Sequence, residues 1–196
     1  MVEIKALRDE TGVAVMQCKK ALEEAGGDME KARMMLRKKS GEIAAKKGDR
    51  TLAAGVVAAY IHANGSVGAI VELSCETDFV AKNEEFKRLA YEIAMHVAAI
   101  NPKFRTVEDV TEEDNAKAKA FFAEEVEKTM KGKPKEIQDK ALQGKIDTFF
   151  AEQVLVKQPY VKDPNITIEG LIQNAVQKFG EKTEITRFSR LAVGKV

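Results

Sequence analysis

Apolar residues recur at steps of three and four along most of this chain, and at steps of two in three short stretches. Over residues 4–39 the helical spacing predicts three short helices. Ile4, Leu7 and Arg8 open the first, which stops at Thr11-Gly12. Val15, Met16, Lys19, Leu22 and Glu23 lie on or beside one stripe of the second, which ends at Gly26-Gly27. Asp28 is a good N-cap for the third, where Lys31 to Lys38 carry Ala32, Met35 and Leu36 on one face. Three helices in about forty residues make a bundle near the lower size limit for independent folding. Residues 1–40 are therefore expected to form one domain, with a charged linker over 41–54 and a second domain over 55–196.

The period changes at Gly55. Val56, Val57, Tyr60 and Ile61 lead to Asn64-Gly65, a strong hairpin signal, and then to Val67, Ala69, Val71 and Leu73 on one strand face. Ile70 and Glu72 take the other face. Phe86, Leu89, Ala90, Ile93, Val97 and Ile100 predict an amphipathic helix from Asn83 to Ile100, closed by Asn101-Pro102 and lying across the hairpin. Two further helices, Glu112 to Met130 with Ala118, Phe121, Phe122 and Val126 inward and Pro134 to Val154, should pair as an antiparallel hairpin, an arm spanning 112–155. Residues 158–164, with two prolines, read as a loop. Ile168 to Phe179 read as a helix stopped at Gly180, and Glu184 to Val193 as a third strand that stabilises the hairpin. The fold class expected is α+β: a three-helix module, then a small antiparallel sheet covered by helices, with a helical-hairpin arm.

Composition narrows the chemistry. Net charge is +1 over 196 residues, so bulk attraction to nucleic acid or anionic membrane is not expected. No apolar run approaches the ~18 residues that span a bilayer, and the amino-terminus lacks the apolar region of a signal peptide. Cys18 and Cys75 have no CxxC partner and read as reduced, buried thiols of a cytoplasmic protein. His62 and His96 have no ligand-like spacing, so neither a metal nor a cofactor is expected. The lysines of Ala44 to Arg50 have no aromatics among them to stack bases, and read as a solvated connector rather than an RNA patch.

The chain is organised around Leu73 to Phe86, which opens as a strand end and closes as a helix start. Between them Asp78 and Phe79 should sit on a short exposed turn. An acid beside the aromatic cannot enter an apolar core cheaply, and the flanks already supply apolar residues. The pair therefore suits presentation to a partner. Glu76 and Asp78 could instead face one way as a carboxylate pair, but no histidine lies nearby to form a relay and no Gly-rich phosphate loop is present.

Thr77-Asp78-Phe79-Val80-Ala81-Lys82-Asn83 resembles the diagnostic sequence of the bacterial translation elongation factor Ts family. Thr11-Gly12, Met16, Cys18-Lys19-Lys20-Ala21-Leu22 and Gly27-Asp28 resemble that family's amino-terminal module, which has a ubiquitin-associated-like three-helix fold. Met95-His96, Gly132-Lys133-Pro134, Gln158-Pro159-Tyr160-Val161 and Arg187-Phe188 extend the likeness over the whole chain. The family commonly has Gly-Met-Met-Asp where this chain has Ala14-Val15-Met16-Gln17. The resemblance implies guanine-nucleotide exchange on elongation factor Tu, without covalent chemistry. It also implies that Thr77 to Asn83 meet the GTPase, with Asp78 and Phe79 inserted near its magnesium and phosphate site. By position, Ile4, Lys5, Arg8, Val15 and Met16 are the module's contacts with the same partner. The alternative is a ubiquitin-associated-like binding module without exchange activity. Longer members of the family have a core of two related halves and this chain has room for one, so a homodimer paired through an exposed sheet edge and binding two GTPases is expected.

Overall fold

Helices α1 (Val2–Thr11), α2 (Val15–Glu24) and α3 (Met29–Ala45) open a computed structural model that describes residues 2–194. Leu7, Val13, Cys18, Ala21, Leu22, Ala32 and Leu36 meet at their centre. Asp28 caps α3 by accepting from the Lys31 amide at 3.0 Å. The helix then runs past the boundary expected at residue 40. Ser40 is buried and hydrogen-bonds Gln177, which draws the following turn onto the rest of the molecule.

Strand β1 (Ala54–Ile61) turns through Asn64-Gly65 into β2 (Val67–Cys75), antiparallel from Ala54↔Cys75 to Ile61↔Gly68. Gly65 takes the left-handed conformation the turn requires (φ +69°), and Asn64 Oδ1 accepts from the Ser66 amide at 3.1 Å. A single helical turn, α4 (Asp78–Ala81), leads into α5 (Glu84–Ile100), which lays Phe86, Ala90, Ile93, Ala94 and Val97 on the buried face of β2.

Helices α6 (Glu112–Thr129) and α7 (Lys135–Gln153) form the expected arm. Their core is Ala118, Ile146, Phe150 and Val154 at the root. Phe121, expected inward, is 73% exposed: Phe122, one residue on, takes the inward position and packs edge-on against Phe149 at 5.5 Å. The predicted loop at 158–164 contains a small hairpin, β3 (Pro159–Tyr160) with β4 (Asp163–Thr167); as a two-stranded ribbon it tolerates its prolines. Helix α8 (Ile168–Phe179) ends at Gly180 in the left-handed region (φ +73°), and β5 (Thr183–Ala192) joins the free side of β2. The register slips between Glu72 and Leu73, leaving Thr186 without a partner. That bulge lets both Ile185 and Phe188, three apart, face the core.

The architecture is α+β, with a three-stranded sheet in the order β1-β2-β5. One sheet face is covered by α5; the other exposes Val57, Ile61, Ile70 and Leu191. Among the described residues, no helix is long and apolar enough to cross a membrane.

Candidate functional site

Cys75 ends β2 in the core, and its thiol donates to the Thr77 carbonyl at 3.2 Å. The chain then rises through Glu76 and Thr77 to α4. The exposed turn expected here is thus one turn of helix: the Ala81 amide donates to Thr77 O at 3.2 Å and the Lys82 amide to Asp78 O at 3.0 Å. Asp78 in the first turn suits the unpaired amides there. Val80 points inward and is 4% exposed, so this member of the expected contact set is a packing residue. Ala81 packs beside it. Asn83 caps α5 by accepting from the Glu85 amide at 2.8 Å. Lys82 reaches back one turn to Asp78 at 2.6 Å, and this hydrogen bond holds the Asp78 carboxyl below the usual carboxylate range.

Phe79 is left 82% exposed, next to an ionised Asp78. The apolar ring is held in water on a one-turn helix, anchored beneath by Val80 and flanked by a central strand and a long helix. Glu76 and Asp78 do not face one way as a carboxylate pair. Glu76 turns the other way, accepting from the Lys182 amide at 2.5 Å and from Arg50 at 3.0 and 3.1 Å. These contacts lower its pKa, the Lys182 amide most, so neither carboxyl is poised as an acid.

Sequence reasoning missed Glu181. Its Oε2 accepts from the amides of Glu76 at 3.1 Å and Thr77 at 3.0 Å, and its Oε1 from the Thr77 hydroxyl at 2.6 Å. No local signal marks it, because the residues it binds lie more than a hundred positions earlier.

In the amino-terminal module, Met16 is 72% exposed and Val15 46% exposed at the start of α2; Lys5 and Arg8 are exposed on α1. Ile4 is half-buried against the module's core. The two expected contact regions share one support, the carboxyl-terminal end of α8. Gln177 donates to Gln17 from α2, Lys178 pairs with Glu85 of α5 at 2.7 Å, and Glu181 follows at the loop. The connector basic residues tie into this support as well. Lys47 donates to the Gly180 carbonyl, and Lys182 donates to Gly48 O at 2.7 Å. Cys18 and Cys75 are free and buried, and burial pushes both thiols up. Among the described residues no group of three or more His, Cys, Asp or Glu could hold a metal ion.

The arrangement leaves Phe79 exposed beside Asp78 at the start of α4. The family model described as elongation factor TS matches residues 6–195. Elongation factor Ts of Coprothermobacter proteolyticus is 45% identical over 192 residues, covering 98% of this chain and 96% of the relative. That of Koribacter versatilis is 45% identical over 194 residues, covering 99% and 88%. That of Thermosipho melanesiensis is 44% identical over 192 residues, covering 98% and 97%.

Proposed function

The chain belongs to the elongation factor Ts family, and we propose that it is the guanine-nucleotide exchange factor for elongation factor Tu, acting in the cytoplasm without covalent chemistry. The observation that carries the proposal is Phe79, 82% exposed on a helical turn whose other side is locked into the core by Val80. Inserted between helices of the GTPase, the ring supplies roughly 1.5–3 kcal/mol of burial. Magnesium demands near-ideal octahedral geometry and phosphates demand aligned backbone amides, so a small displacement there weakens nucleotide binding strongly. Asp78, paired with Lys82 in the free protein, engages a donor on the GTPase or repels negative charge near its metal. Thr77, Lys82 and Asn83 frame the wedge, and Val80 and Ala81 support it from beneath. Lys5, Arg8, Val15 and Met16, with Ile4 behind them, make a second contact that holds the partners together.

Exchange follows from linkage. A factor that weakens nucleotide binding is weakened by nucleotide to the same degree, so it speeds release and leaves the overall equilibrium unchanged. The test is release of a fluorescent GDP analogue from elongation factor Tu. Wild-type protein should accelerate it. Asp78→Ala and Phe79→Ala should slow it while binding persists. No acceleration by wild type would remove the proposal and leave the module as a binding unit only.

We also propose a homodimer that binds two GTPases. Its support is the open face of the sheet rather than an edge alone. Ile61, Gly68 and Leu191 form one row across the three strands, and Ala59, Ile70 and Ser189 the next. They line a shallow groove of about 610 Å³. A second copy seated there would cover Ile61 and Leu191, 71% and 77% exposed. Light scattering at micromolar concentration should give a dimeric mass, and Leu191→Glu should give a monomer. A monomeric wild type would remove the dimer and leave the exchange proposal standing.

A further inference from the structure

We infer that Glu181 is a positioning residue for exchange, fixing the entry to α4 so that Phe79 is held at one angle. The inference rests on the exchange reading above. Phe79 has almost no packing of its own, so its direction is set by the backbone of α4. On its core side that backbone is anchored by Val80, with Ala81 packed beside it, and the Cys75 thiol holds the Thr77 carbonyl at 3.2 Å. These contacts leave the amides of Glu76 and Thr77 and the Thr77 hydroxyl to be held from elsewhere. The Glu181 carboxylate takes these three donors at once: the two amides on one oxygen and the hydroxyl on the other.

The clamp is reciprocal. Glu76 Oε1 accepts from the amide of Lys182, the residue after Glu181. Each of the two chain segments thus presents a carboxylate to the other's backbone. Gly180, at φ +73°, turns the chain out of α8 at the point where Glu181 must reach Thr77. Thr77 makes no side-chain cap to α4, because its hydroxyl is committed to Glu181. Bonds to an ionised acceptor are the stronger class, so this set is suited to resisting a pivot when the wedge is pushed against a partner.

The substitutions separate bonding from charge. In Glu181→Gln the amide oxygen can still accept from both backbone amides, and its NH₂ can donate to the Thr77 hydroxyl, which rotates to accept. In Glu181→Asp the charge stays but the side chain is one methylene short of the same three donors. The measurement is GDP-analogue release from elongation factor Tu at increasing concentrations of the full chain. Glu181→Ala and Glu181→Asp should lower the maximal rate about tenfold and leave the half-saturating concentration within about twofold, because the amino-terminal contacts remain. Glu181→Gln should stay within about threefold of wild type. In an Asp78→Ala, Phe79→Ala background, Glu181→Ala should slow release no further, since it acts through that turn.

Wild-type rates for Glu181→Ala and Glu181→Asp, while Phe79→Ala is slow, would overturn the inference and keep the exchange reading. Equal slowing in Glu181→Gln and Glu181→Ala would also overturn it, as would added slowing in the Asp78→Ala, Phe79→Ala background. A wild-type chain without effect on release would instead overturn the exchange reading.

Discussion

Two phenylalanines stand in water on this molecule, and they differ in what holds them. Phe79 is 82% exposed and Phe121 73% exposed. Phe121 leans edge-on against Phe122 at 5.1 Å, and the contact continues through Phe149 and Phe150 to Phe104 at the arm's root. It is the outer member of an aromatic stack whose inner members are the arm's core. Phe79 has no aromatic neighbour in that sense. It stands alone on a helical turn pinned by Val80 and by the Glu181 carboxylate. Exposure alone therefore does not distinguish the two rings; what lies beneath each of them does.

The sharpest way to break the comparison is at the arm's root. Phe150 is 9% exposed, and Phe150→Ala should cost about 3–5 kcal/mol in urea unfolding. The loss should fall on the arm, read as raised amide exchange in α6 and α7. Phe79→Ala comes next and moves the opposite observable. It should slow GDP release from elongation factor Tu by about 10- to 150-fold, the equivalent of roughly 1.5–3 kcal/mol of lost burial. Its thermal midpoint should match wild type, because the ring packs against little in the free protein.

A third measurement uses pH at the junction between arm and core. His96 is fully buried on α5. Its Nδ1 accepts from the Val161 amide at 3.2 Å, so the neutral ring carries its proton on Nε2 and donates to Gln158 Oε1 at 2.9 Å. Burial holds its pKa below the ordinary histidine value. The unfolded chain therefore binds the proton first. The stability His96 contributes is full above about pH 6.5 and is lost as pH falls through the lower, folded value. Urea midpoints should decline from pH 7 toward pH 5, and His96→Gln should flatten that decline. The smallest effect belongs to Phe121→Ala: within about twofold of wild type in GDP release, and within about 0.5 kcal/mol in stability. A larger loss of exchange there would make the arm a third contact and dissolve the distinction.

Much of the fold was legible because its signals are local. The Asn64-Gly65 turn, the Phe86 to Ile100 stripe and the Asp28 cap each occupy a few consecutive residues. The misreadings share a different cause. Phe121 and Phe122 are adjacent, and a helical period admits either as the inward one. The small hairpin at 159–167 was hidden by Pro159 and Pro164, which suit a short ribbon and would not suit a central strand. Ile185 and Phe188 share a face only because Thr186 bulges, which strict alternation does not foresee. At the candidate site, Asp78 and Phe79 could be singled out from their neighbours alone. Val80 could not be separated from them, since the sequence does not show which way a one-turn helix, rotating each side chain about 100° from the last, faces the core. Glu181 was out of reach because its partners are set by the meeting of distant segments.

The central strand meets its two neighbours at very different separations along the chain. β1 pairs with β2 across a short turn, whereas β5 and Glu181 reach the Cys75 to Thr77 segment across more than a hundred residues. A growing chain can therefore build the amino-terminal module and the hairpin and still lack a fixed Phe79. With Glu181 as the positioning residue inferred above, a chain cut short before Gly180 would carry every residue from Thr77 to Asn83 and still leave that segment unclamped.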